Sequence, residues 1–525
     1  MDVIETLREE FRQGRIDVDR LLDLIASLQR LFHESQQQLH ASQQQLQATL
    51  QQLDAANKRI EELEKKIGGP PTAKLAEPYS MREEEKRQEA LGKKKKQRKP
   101  KGRRGRFKTK DKIAQAARME KVFPSDALPD ECYLSHVRVI WRVENHAAVL
   151  IAYEVYRSRD GRYGQIPGVL GRCEYGLDIV CEIAHLVYIV GLSFDKACQV
   201  LHFFQNLPVK KGQVDSLLRR LARHWQAQFE VLCTLLANSL VVNADETRWS
   251  LNSVWALLSE KARVLLFGVH KDGATLEKLL DPASFEGIVV SDHAAVYGQF
   301  SKTQKCWAHL LRKAIKLTLL EPENAVYRDL LDRLLEVYRE ACRVQGDGRL
   351  GDAGRAKKVA ELEEKLFDLC GPIHRADLPP LEGPANDYRL LVNEVFRLMI
   401  DRELFEFVTA PPVEQPNGEV KPVSGTNNES ERTLRNTAQA RVTGRTDKTI
   451  NGARRRTILT SVLESLRVYL PTYTLTSVLG ELARWAATGR SCFEKLLKKL
   501  KLKKPDPKKS ILDQLFPKPA PNASG

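Results

Sequence analysis

Two aspartates stand where apolar runs end. Asp245 closes the β-like run of SLVVNADETRWSL, and Asp292 closes that of GIVVSDHAAVY. Each run reads as a strand with its acid at the end, where functional groups of α/β sheets gather. Carboxylates brought together repel one another unless a cation neutralises them. With no Cys or His ligands beside them, they are hard oxygen donors suited to Mg²⁺ or Mn²⁺ rather than zinc. Two such ions about 3.5–4 Å apart activate a water or a 3′-hydroxyl and stabilise the leaving oxygen in phosphodiester transfer. A third carboxylate is available in GTNNESERTLRNTAQARVTGR, where Asn427 or Asn428 caps a helix and Glu431 shares a face with Arg435. The residues alone leave two roles for Glu431: metal ligand or, with Asn428 as N-cap, the N3 partner of a capping box. Glu429 is the rival acid, on another face.

The elements that position these acids follow from the period of the apolar residues. SLVVNADETRWSL, SVWALLS and RVLLFGVH read as three successive strands. ATLEKLLD follows as a helix, GIVVSDHAAVY as a buried strand, and TQKCWAHLLRKAIKL as a short strand running into a helix. The order β-β-β-α-β-α-β-α is that of an RNase H-like α/β domain whose sheet is covered on both faces. Residues 317–410 are helical in pattern throughout, an α-helical insertion between the second and third acids. Trp249, Trp255 and Trp307 read as core.

Upstream, apolar residues recur at every seventh position from Val18 to Ile67, ending before Gly68-Gly69-Pro70-Pro71. That is a coiled-coil seam for self-association into a homodimer or higher homo-oligomer. The +16 net charge is local. Residues 91–110 carry twelve Lys or Arg and no acid, among them Lys94, Lys95, Arg103 and Arg104; the segment from Ser491 adds +6, which leaves the rest of the chain at −2. Such tracts fit phosphate-backbone contact that is blind to sequence. Two strands are expected between Tyr133 and Glu154, then helices. Ser193 N-caps one helix, and another carries Arg219, Arg220 and Arg223, in a helix-turn-helix-like, DNA-binding arrangement. Nine scattered cysteines without a CxxC pair, the absence of a secretory signal and the lack of a membrane-length apolar run predict a cytoplasmic protein.

The segments NADETRWSL, VVSDHAAVY with KCWAHLLRKA, and TNNESERTLRN with GARRRTILTSVLESLR resemble the bacterial DDE transposases of the insertion-sequence-66 type, over roughly residues 160 to 470. The resemblance implies that Asp245, Asp292 and Glu431 form a catalytic triad binding Mg²⁺ or Mn²⁺. It implies strand cleavage and strand transfer at transposon terminal inverted repeats and target double-stranded DNA, in the bacterial nucleoid, with accessory proteins of the same element as possible partners. Tyr297, His309, Arg312, Lys313, Arg432 and Arg435 match its blocks and are expected to hold phosphates, although His309 also reads as a packed helix residue. Relatives often carry a Cys-rich zinc module before the catalytic core. Here only Cys132 and Cys173 remain in that stretch, with the basic linker in its place. The competing functions are a tyrosine recombinase using His309, Arg312 and Tyr327, and a domesticated or inactive transposase-derived DNA-binding protein.

The expected organisation is a coiled coil (1–69), a basic disordered linker (70–125), a mainly helical DNA-binding region (126–238), the catalytic core (239–316), a helical insertion (317–415), the rest of the core with the Glu helix (416–490) and a basic C-terminal tail (491–525).

Overall fold

A computed structural model describes residues 109–374 and 382–517, with six further helical residues at 26, 29, 33, 36, 37 and 47. Residues 1–106 form one unit and 107–525 another, and everything that follows belongs to the second. The expected coiled coil and the basic residues Lys94, Lys95, Arg103 and Arg104 lie outside the described stretches.

The unit begins with helix α1 (Thr109–Ala114) and strands β1 (Arg118–Val122), β2 (Cys132–Glu144) and β3 (Ala147–Ser158). β2 and β3 are the two strands the sequence predicts and pair antiparallel, and β1 pairs in parallel with β3 from Arg118↔Ile151 to Val122↔Val155. α1 and β1 therefore correct the expectation of a disordered linker reaching residue 125. RMEKV is a mostly exposed edge strand, so no apolar alternation announced it.

Helices α2 (Leu177–Tyr188), α3 (Phe194–Gln205) and α4 (Lys211–Ala237) follow. Ser193 caps α3 as expected, accepting the Lys196 N–H at 3.2 Å. α4 is the helix that the sequence places in the DNA-binding arrangement, and one of its faces is packed. Val214, Leu217, Leu218, Leu221, Trp225 and Phe229 are buried along it, and so is nearly all of its last turns. Arg219 and Arg223 remain exposed, whereas the Arg220 guanidinium donates to the Leu170 carbonyl at 3.0 Å and is part of the fold.

The central sheet comprises β4 (Val241–Arg248), β5 (Ser253–Ser259), β6 (Arg263–Val269), β7 (Ile288–Ser291) and β8 (Thr303–Lys305), with the short helix α5 (Gly273–Glu277) between β6 and β7. Its order is β6-β5-β4-β7-β8. β5 runs antiparallel to both of its neighbours, β4 and β6, and β4, β7 and β8 run parallel. Side chains alternate along a strand. Val242 and Val289 accordingly enter one core with α2 and α4, while Val241 and Val290 enter a second with the helices after β8. Both faces are covered, as continuous apolar runs require.

That second core is built by α6 (Trp307–Leu320), α7 (Ala325–Gly346), α8 (Asp352–Cys370), α9 (Gly383–Ile400) and α10 (Glu406–Thr409), then by the small hairpin of β9 (Val413–Glu414) and β10 (Val420–Lys421). Trp255 and Trp307 are fully buried and Trp249 nearly so, as read from the sequence.

The chain returns to the sheet through α11 (Asn428–Val442) and α12 (Ile450–Tyr469). α12 seals the open edge of β6. Thr457, Ser461 and Ser465 accept the backbone N–H groups of Phe267, Leu265 and Arg263 at 2.9, 2.9 and 3.0 Å. Four residues of helix rise about 6.0 Å and two of strand about 6.8 Å, so one hydroxyl per turn meets every outward N–H. The close approach needs Gly268, where a Cβ would lie 2.9 Å from that of Ala453. The other edge is closed by the Lys305 N–H donating to the Glu403 carbonyl at 2.7 Å.

The segment from Ser491 is docked rather than a free tail over the described residues. α13 (Leu475–Thr488), α14 (Cys492–Lys499) and α15 (Ile511–Leu515) bring Phe493, Leu497, Leu512 and Phe516 into the core. The buried Glu230 carboxylate on α4 accepts the Ser510 hydroxyl and the N–H groups of Ile511 and Leu512 at 2.6, 3.0 and 3.1 Å. Among the described residues no helix is long and apolar enough to cross a membrane.

Candidate active site

β4 is the middle strand, and its ladder with β7 ends at Asn243↔Val290. Continued two residues, this register sets Asp292, the residue after β7, against Asp245, which lies within β4 rather than at the strand end the sequence suggested: β4 runs on to Arg248, and Asp245 pairs with Ala256 of β5. Asp292 turns the chain, its Oδ1 accepting the Ala294 N–H at 3.0 Å. Where β7 ends, Asn427 takes over from the ladder: its fully buried amide donates to the Ala244 carbonyl at 2.7 Å. The Asn427 N–H donates to Cys306 Sγ at 3.1 Å, and the Trp307 N–H donates to the Gly425 carbonyl at 3.1 Å. These bonds tie the starts of α6 and α11 to the strand that carries Asp245.

Asn427 occupies the N-cap position of α11 without a side-chain cap bond, its Oδ1 accepting instead from the Ser430 hydroxyl. Glu431 therefore makes no capping box. Its carboxylate accepts Arg312 Nη2 at 2.8 and 3.0 Å and lies 3.6 Å from His309 Nδ1. Glu429 points elsewhere and pairs with Arg263.

Burial is the main force on Asp245. With the charges of Glu246, Asp292 and Glu431 added, it pushes this carboxyl up to about 7, against the opposing pull of the Glu246 N–H, which donates at 2.8 Å. A group in that state is one whose ionised form a bound cation would relieve. The three acids do not close on a common point. Among the described residues the group whose ligand atoms lie within 4.8 Å of one another is Cys306, His309 and Glu431. Cys306 is a weak ligand as it stands, since burial holds its thiol pKa up. Three uncompensated carboxylates repel, and Glu431 leans to Arg312 instead.

The predicted phosphate contacts divide. Arg312 holds Glu431, and Lys313 holds Glu394 on α9. His309 is half-buried, and burial with the Arg312 charge keeps its pKa low. Tyr297 is fully buried and donates to Glu246, so it belongs to the fold rather than to a phosphate. Arg432 faces a different cleft, between α11, the β9–β10 hairpin and α12. Arg435 is exposed one turn beyond Glu431. Tyr327, the nucleophile of the recombinase alternative, is buried in the helical core beside Tyr388.

Several residues escaped the sequence reading. The Glu246 side chain is 1% exposed and accepts Lys271 Nζ at 2.5 Å. His293 Nδ1 lies 2.5 Å from Glu394 Oε1. Burial opposes its ionisation, yet bonds from His293 and Lys313 hold Glu394 down at about 2. Adjacency to Asp245 and Asp292 was the available signal for Glu246 and His293. Nothing in LLVNEVFRLMI singles out Glu394.

Residues 172–383 match the model of a family described as Transposase IS66 family, which supports an IS66-type transposase. No curated protein matches the chain.

Proposed function

We propose that this chain, with its IS66 family transposase domain, cleaves and joins DNA strands at a site formed by Asp245, Asp292 and Glu431. The observation that carries the reading is the pair of acids on adjacent strands, Asp245 within β4 and Asp292 just past β7, with a desolvated Asp245 under the charges of Asp292 and Glu431. The strand order, antiparallel for three strands and parallel for the last two, supports an RNase H-like fold. The three carboxylates would hold Mg²⁺ or Mn²⁺, which supplies activation of the attacking oxygen and charge neutralisation at the leaving one. Asn427 holds the helix of Glu431 against β4, and Arg312, once Glu431 turns to the other acids, is free to receive a phosphate oxygen. Arg219 and Arg435 add exposed cations for the duplex.

The domain division follows the same reading: an oligomerising N-terminal helix, a basic linker that contacts DNA, and a catalytic core interrupted by a helical insertion. The test is cleavage of duplexes bearing candidate element ends in Mg²⁺, comparing the wild type with Asp245→Asn, Asp292→Asn and Glu431→Gln. Cleavage by the wild type and background rates for all three variants are expected; a variant that keeps full activity removes its residue from the site. A second reading, a DNA-binding protein that does not cut, draws support from the ion pair between Glu431 and Arg312. DNA binding by the wild type without cleavage in either metal would favour it.

A further inference from the structure

A cleft of about 650 Å³ opens beside Asp245, between the carboxyl end of β4, the start of β5, the residues after β6 and the last turn of α11. Its charged walls are Glu246, Arg248, Lys271 and Arg441, with His270 between them. Arg441 Nη1 donates to Thr247 Oγ1 at 3.3 Å and to the Arg248 carbonyl at 3.1 Å, which fixes the guanidinium while leaving its other N–H groups to the cleft. Thr247 shares a strand face with Asp245, about 6.8 Å along. Glu246 is engaged by Lys271 and Tyr297. Among the described residues neither Arg248 nor Arg441 is ion-paired, and both are exposed.

Two unpaired guanidiniums a strand step from a buried acid are not needed to balance Glu246, which already has its lysine. They suit an anion with several acceptor oxygens, to which arginine donates in a planar fork. We infer that this cleft seats a backbone phosphate of the DNA strand next to the one being cut, with Arg248 and Arg441 binding its non-bridging oxygens. The inference rests on the catalytic reading for the identity of the strand, but the contact itself is one of binding. It adds a positioning subsite lined by residues other than Arg312.

The experiment uses the full chain and a fluorescent 30-base-pair DNA duplex with metal withheld, and follows the dissociation constant from low to moderate salt. Each phosphate contact contributes about 0.9 to the slope of log affinity against log salt. Arg248→Gln and Arg441→Gln should each lower that slope, the double variant by the about 0.9 of the one phosphate they share, and Arg441→Lys should restore most of what Arg441→Gln loses, all with unchanged thermal unfolding. Asp245→Asn should leave the slope at or above that of the wild type. An unaltered slope in the double variant overturns the inference, even if Mg²⁺-dependent cleavage requires Asp245. A lowered slope in a protein that never cleaves upholds the cleft and refutes the catalytic reading instead.

Discussion

Replacing Asn427 with alanine removes the amide that joins α11 to β4. Its Nδ2 is the partner of the Ala244 carbonyl beyond the end of the β4–β7 ladder. Ser430 keeps a bond to the Asn427 carbonyl at 3.0 Å, so the Ala244 oxygen is the group left stranded. A buried acceptor without a partner costs about 1–3 kcal/mol, and the small void adds to this. With a loss of about 2–3 kcal/mol, a unit of about 400 residues should melt roughly 2–4 °C lower. Scanning calorimetry in metal-free buffer measures the change. Asn427→Asp should be worse than alanine, because it sets a carboxylate against the Ala244 carbonyl in a buried place. A melting temperature within about 1 °C of the wild type for Asn427→Ala, or a milder effect for aspartate, would refute the assignment of Asn427 as the joint.

Asp245 makes stability depend on pH. Its folded pKa of about 7 lies above the ordinary 3.8, so the folded state holds a proton that the unfolded chain has released. This contribution is full below pH 4 and is lost as the pH climbs through 7. In chelator, the melting temperature of the wild type should fall over that window relative to Asp245→Asn; parallel curves would contradict it. Ser461→Ala leaves the Leu265 N–H buried without its acceptor and should cost about 1–3 kcal/mol in denaturant unfolding, while Ser461→Thr costs less. Glu230→Ala removes the acceptor for two N–H groups and a hydroxyl at the start of α15. Trypsin should then cut at Lys508 or Lys509 at least about tenfold faster, and equal digestion rates would count against the docking role.

The strands β5, β6 and β7 were legible because each buries both faces and reads as an apolar run, and Asp245 and Asp292 because each ends one in the sequence; β8, Thr-Gln-Lys, carries no such run. Pattern reasoning separates local periods, and it cannot see partners distant in sequence. Arg220, Arg312 and Lys313 looked alike as exposed cations on helices. Their bonds to Leu170, Glu431 and Glu394 span 50, 119 and 81 residues, and no local feature announces them. The segment after Ser491 was masked by its lysines: the apolar residues Phe493, Leu497, Leu512 and Phe516 are few, yet they are the ones that dock. Glu431 was ambiguous between cap and ligand because both roles ask for an acid in the first turn. Only the position of Asn427 separates them.

The hydroxyl seal on β6 also sets a schedule. Leu265 precedes Ser461 by 196 residues. At a synthesis rate of about 5–20 residues per second, the strand exists for roughly 10–40 s before the helix that covers its edge has been made. Through that interval the nascent sheet offers three unpaired N–H groups to any other extended chain, the situation in which strands from neighbouring polypeptides join. The same delay separates Asp245 from the helix of Glu431. On the ribosome, the half-made protein is thus an exposed sheet with an incomplete set of acids, and shielding of the edge and completion of the acid cluster come together, late in translation.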